Sequence, residues 1–222
     1  MGRHLDGRTD AGSTENRSTE LCSRIQYDAY CSVICVTDGK AVGTYIEQAF
    51  HRYLIDRYSY VAGSSASGID LPGLEIDIKA TSYRQPQSSS PFRDASQKVY
   101  GLGYHLLLFV YEKADQQQLR AAQLSFRNVI FVARERTGDY QTTYGLREIL
   151  RHNGNQDDII AFLEERNLPL DEIGRVTLAE QVLRKPPEIG YLTVSNALQW
   201  RLQYGRAIGI AGIIEGVEEL LG

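Results

Sequence analysis

From Leu74 to Thr81 the chain alternates strictly. Leu74, Ile76, Ile78 and Ala80 are apolar, and Glu75, Asp77, Lys79 and Thr81 are polar. A period of two over that length predicts a β-strand with one apolar and one polar face, so Glu75, Asp77 and Lys79 share a side. Upstream the period changes to that of a helix. Leu21, Ile25, Tyr30, Val33 and Ile34 predict a helix over residues 18–36. Val42, Ile46, Ala49, Phe50, Tyr53, Leu54 and Tyr58 predict a second over 40–58. A short strand is expected at 58–62, before a Gly/Ser-rich loop that ends at Asp70.

Downstream of the alternating stretch, 83–93 is a polar connection with two prolines, and 95–104 predicts a helix ending at Gly101 or Gly103. Residues 105–111 and 126–134 carry apolar runs of the kind found in buried strands, and the charged, Gln/Ala-rich 112–124 between them reads as a helix or long turn. Helical periodicity returns in 143–153, 155–166 and 171–184, punctuated by Gly154, Pro169, Pro186 and Pro187. The closing stretch, 195–221, predicts a helix or helix pair around Leu198, Trp200, Leu202 and Tyr204 and the apolar run 208–214. This order of elements describes a mixed α/β core with helices ahead of it and a helical C-terminal part over about 140–222.

Length and charge narrow the picture. A chain of 222 residues suits one domain with a substantial core, here 17–222, preceded by a mobile arm of about residues 1–16 that has little to bury. The net charge of −4 excludes a globally basic protein, so a nucleic acid would be held by a local positive patch. The second half offers one: Arg134, Arg136, Arg147, Arg151, Arg175, Arg184, Lys185, Arg201 and Arg206 are interleaved with tyrosines, although a solvated helical surface would read the same way. Cys22, Cys31 and Cys35 lack the paired C-x-x-C spacing of zinc sites and read as reduced thiols. The first residues carry no apolar secretory segment and no stretch is long enough to span a bilayer, which points to a cytoplasmic protein.

Candidate chemistry gathers around the alternating strand. Asp70 from the loop and Asp77 from the strand offer hard oxygens to a cation such as Mg²⁺, which takes one or two carboxylates and keeps several waters. Lys79, on the face of Asp77, could orient a water or stabilise developing negative charge. Glu47 sits beside the apolar stripe of the preceding helix, which could aim it at the same centre, although a helix glutamate is more often solvated. Glu75 competes with Asp77 as the strand ligand, and the spacing to Lys79 favours Asp77. Arg84, Gln85, Gln87 and Arg93, just past the strand, can reach phosphates or base edges.

At Asp70 and Asp77-Ile78-Lys79 the sequence resembles the PD-(D/E)XK nuclease superfamily, best represented by type II restriction endonucleases; the likeness covers residues 40–111. Ile69 stands where the motif often has proline, and Pro72 follows the acid instead. The resemblance implies a restriction-endonuclease-like mixed β-sheet core flanked by helices and Mg²⁺-dependent hydrolysis of double-stranded DNA at a short specific sequence. It also implies a metal shell of Asp70, Asp77, Glu47 and the Ile78 carbonyl, catalysis with Lys79, base reading by Arg84, Gln85, Gln87 and Arg93, and a homodimer on a palindromic target. A repair or recombination nuclease of the same superfamily would share the site. A non-catalytic α/β binding protein would carry the acids on a solvated strand.

Overall fold

The computed structural model describes residues 39–58, 68–194 and 201–221. The arm, the helix expected at 18–36, the three cysteines and most of the strand expected at 58–62 lie outside them. Chain contacts divide the protein into two units: residues 1–86, 106–132 and 211–222 form one, and 87–105 with 133–210 the other. The expected α/β architecture, a sheet core with several helices, is observed.

The first unit is built on a four-stranded sheet in the order β1 (Ile76–Ser82), β3 (His105–Gln116), β4 (Ala121–Val132), β7 (Val217–Glu219). Helix α1 (Gly39–Arg57) buries Val42, Ile46, Phe50, Tyr53 and Leu54, as its periodicity predicts. That stripe joins Ile76 and Ile78 of β1, Leu107, Phe109 and Tyr111 of β3, and Ala122, Leu124, Phe126 and Val129 of β4 in one core. Phe109 is its centre: fully buried, it meets Phe50 edge-on at 5.3 Å and Phe126 edge-on at 5.6 Å.

Two expectations for this unit are corrected. Residues 112–124 are neither helix nor long turn; β3 and β4 run through them as an antiparallel hairpin closed by a 3₁₀ turn at Gln117–Leu119, with Arg120 left-handed at φ 47°. Burial of Ala121, Ala122 and Leu124 against the core outweighs the helix preference of the glutamines and alanines. The pairing slips by one residue near Val110 and Tyr111, where Val110 faces Asn128 and Tyr111 faces Phe126, so Arg127 is the extra residue of a β-bulge. The second correction concerns 195–221, where no long helix is found among the described residues. Its described part is β6 (Arg201–Gln203), the six-residue α6 (Gly205–Ile210) and β7, which pairs with β4. Gly212 and Gly216, at φ 74° and 81°, turn the chain where a helix would have continued.

The second unit has a three-stranded antiparallel sheet in the order β2 (Gln87–Ser89), β6, β5 (Thr193–Val194), and the helices α2 (Ser96–Tyr100), α3 (Tyr140–Arg151), α4 (Gln156–Glu165), α5 (Glu172–Arg184) and α6. Helix α2 ends at Gly101, one of the two stops the sequence offered, and α3, α4 and α5 fall on the three predicted helical stretches. Leu146, Ile159, Leu163, Leu178, Ala179 and Val182 pack them together over Ala95 and Val99.

Asp139 ties this unit together. One carboxylate oxygen caps α3 by accepting from Thr142 N and Thr142 Oγ1, at 2.9 and 2.7 Å, and the other accepts from Val194 N at 2.9 Å. Burial pulls the Lys98 ammonium below its ordinary range, and the Asp139 carboxylate opposes that shift. Asp139→Ala removes the cap and orphans a buried Val194 N–H, and should cost at least about 2 kcal/mol of unfolding free energy by urea titration. A loss below half of that would show that the bonds are replaced.

Candidate active site

Strand β1 opens with a tight reversal. Leu71 and Ile76 exchange backbone hydrogen bonds, at 2.9 Å from Leu71 N to Ile76 O and 3.2 Å in the opposite sense, around a 3₁₀ turn at Pro72–Leu74. Continuing that pairing one step outward sets Asp70 across from Asp77. The six intervening residues are the length this turn needs. Asp70 Oδ2 accepts from Ile78 N at 2.7 Å, so the loop acid is anchored to the strand it faces.

The polar side of the strand is not a solvated face. Asp77 is only 5% exposed, and its Oδ2 lies 2.6 Å from Lys79 Nζ, which also donates to the Ile78 carbonyl at 3.2 Å. Burial pushes the Asp77 carboxyl up to about 6, with Lys79 opposing and the hydrogen-bonded Asp70 reinforcing. Glu47 is half-buried on α1, the helix packed against β1, one turn beyond Gly43, which faces Ala80. Its carboxyl is raised by burial first and by Asp70 second, while Lys79 lowers it. The structure thus brings Glu47, Asp70, Asp77 and Lys79 into one electrostatic neighbourhood.

Glu75 does not belong to the strand as predicted. The strand begins one residue later, and Glu75 is exposed in the left-handed region at φ 53°, closing the 3₁₀ turn. The face it was expected to share with Asp77 starts beyond it.

The donor set suits a hard cation, because every candidate ligand is oxygen: the carboxylates of Asp70, Asp77 and Glu47 and the Ile78 carbonyl. As they sit, no three acidic, histidine or cysteine side chains among the described residues are gathered closely enough to hold a metal ion. The reason is local: Lys79 draws Asp77 Oδ2, and Ile78 N draws Asp70 Oδ2. Asp70 also contributes, after burial, to the rise of the Asp77 carboxyl, and a cation beside the two acids would offset that repulsion. The oxygen donors therefore suit a divalent cation by their chemistry.

Of the expected DNA-reading residues, Arg84 and Gln85 belong to the first unit and Gln87 and Arg93 to the second. Arg84 and Gln85 are exposed in the turn after β1, Gln87 opens β2 opposite Gln203, and Arg93 is exposed ahead of α2. Beside Arg84 lies a group that sequence reasoning missed. The bulged Arg127 donates through Nε and Nη2 to Glu112 Oε2 and stands 5.9 Å from the Tyr83 ring centroid. Arg84 adds to the field that holds the Glu112 carboxyl below its usual range, an effect due first to Arg127. The signal was in the chain: core positions on β4 are even-numbered up to Phe126 and odd-numbered at Val129 and Phe131.

Comparison with known proteins gives two matches. The family described as "Type II restriction enzyme NspV" matches residues 10–219. The type II restriction enzyme NspV of a Nostoc species is 59% identical over 182 residues, covering 82% of this chain and 83% of its own length. No solved structure matches. Among the described residues no helix is long and apolar enough to cross a membrane.

Proposed function

The chain belongs to the NspV family of type II restriction enzymes, and from that premise we propose that it is a Mg²⁺-dependent endonuclease of PD-(D/E)XK type. It hydrolyses phosphodiester bonds of double-stranded DNA at a short specific sequence. The observation that carries this reading is Asp77: a buried acid, ion-paired to Lys79 two residues on and set against Asp70 across a tight turn. A binding protein with a solvated strand has no use for that arrangement, because burying a carboxylate beside another is costly unless something exploits it.

Asp70, Asp77, Glu47 and the Ile78 carbonyl would hold the cation. Bound there, Mg²⁺ lowers the pKa of water and neutralises charge on the phosphoryl oxygens. Lys79 holds the attacking water in line with the scissile phosphorus and offsets charge that develops as the P–O bond breaks. Arg84, Gln85, Gln87 and Arg93 supply donors and acceptors for base edges or phosphates. A palindromic duplex would be met by a two-fold dimer, each subunit cutting one strand.

Digestion of a sequenced plasmid tests the reading. With Mg²⁺ the protein should give discrete fragments whose ends map one short sequence, and an excess of EDTA should abolish cutting. A nicked circle as the end product would move the protein to single-strand chemistry, and undiminished cutting in EDTA would remove the metal from the mechanism.

A further inference from the structure

Tyr140 opens α3 inside a cluster of rings. Tyr144, one turn on, stacks on it with centroids 5.5 Å apart and planes 22° from parallel, and Tyr191 leans against it at 5.9 Å. Tyr191 is fixed there by its chain neighbour: Gly190 lies so close to Gly138 that a Cβ on it would stand 2.1 Å from the Gly138 carbonyl oxygen. Over the ring of Tyr140 sits the Arg206 guanidinium, 3.7 Å from the centroid.

Arg206 differs from several other arginines of the chain. Arg127, Arg134, Arg136, Arg151 and Arg184 each form an ion pair with a glutamate. Arg136, near Tyr191, also donates to the Ile189 carbonyl. Arg206 is exposed, and among the described residues no carboxylate or carbonyl takes its N–H groups. Stacking on an aromatic face fixes the guanidinium plane while leaving its edge donors outward. A planar fork held in this way matches two parallel acceptors and loses little freedom on meeting them. Tyr144, 43% exposed, adds a flat ring beside it. In a chain of net charge −4, an exposed arginine with no acid partner among the described residues marks a local point of attraction for an anionic partner.

We propose that Arg206, stacked on Tyr140, contacts the DNA substrate through a pair of acceptors, either O6 and N7 of a guanine or two oxygens of one phosphate. The assignment rests on the reading of the protein as an endonuclease acting on double-stranded DNA, and it adds a contact that the residues after β1 do not supply.

The test uses cleavage kinetics on a short duplex carrying the mapped site. If the acceptors belong to guanine, Arg206→Ala and Arg206→Lys both lower kcat/KM about ten- to a hundred-fold, because lysine lacks the fork. Replacing the contacted guanine by 7-deazaguanine then lowers wild-type cleavage and leaves Arg206→Ala no worse. If they belong to phosphate, Arg206→Lys keeps most of the activity. Arg206→Ala in that case lowers the dependence of log KM on log salt by roughly one. Wild-type kcat/KM and salt dependence in Arg206→Ala would overturn the assignment. So would a loss of kcat at constant KM that responds to neither salt nor deazaguanine, since that is the mark of a purely structural arginine. A wild-type protein that cuts no DNA would instead overturn the endonuclease reading.

Discussion

Asp77→Asn should leave plasmid uncut where the unaltered protein cuts to completion, a fall in single-turnover rate of about 10²–10³-fold or more. The amide is nearly the same shape but brings neither the charge a cation needs nor the anion that holds Lys79. Lys79→Met should fall by a similar factor for the opposite reason, since the acids remain and the group that places the water is gone. Neither change should unfold the protein. Replacing the buried Asp77, crowded by the partly buried Asp70, relieves repulsion, and Lys79 keeps the Ile78 carbonyl and the nearby Glu47. Circular dichroism and a thermal melt within a few degrees of wild type would confirm that chemistry, not folding, was lost. Retained Mg²⁺-dependent cleavage in both variants would refute the site.

The second large effect is on stability. Phe109→Ala empties the centre of the first unit, where Phe50 and Phe126 both meet the ring edge-on. Truncating a fully buried phenylalanine costs about 3–5 kcal/mol, through lost transfer energy and the cavity left behind. The urea midpoint should drop accordingly with the slope unchanged. Activity should fall as well, because Phe50 fastens α1 to the sheet and Glu47 lies one turn earlier on that helix. A loss under about 1 kcal/mol would mean that the neighbouring rings close the gap.

What the sequence made legible follows from where its patterns are local. The stripe of α1 and the helices α3, α4 and α5 came through because one face of each is buried and the period shows it. Asp70, Asp77 and Lys79 were singled out by spacing, and the pairing of Leu71 with Ile76 brings Asp70 back against the strand. Non-local pairing was not legible. Glutamines and alanines at 112–124 look helical until the hairpin partner is known, and β7 is a strand only because β4 accepts it. Glu75 was misplaced because alternation in the sequence continued past the point where the backbone turned left-handed. Burial of Asp77 was also invisible, since a polar residue in an alternating strand reads as solvated until its neighbours in space are known.

The turn at Pro72–Leu74 makes the distance between two carboxylates a matter of counting residues. Strand pairing advances in whole steps, so a turn one residue longer or shorter cannot shift Asp70 slightly along β1; it displaces the acid to another rung or to the other side of the ribbon. Every residue of the motif could then be present in a relative and its two acids still fail to meet. On the proposed reading of the site, the number of residues between Asp70 and Asp77 matters as much as the acids themselves.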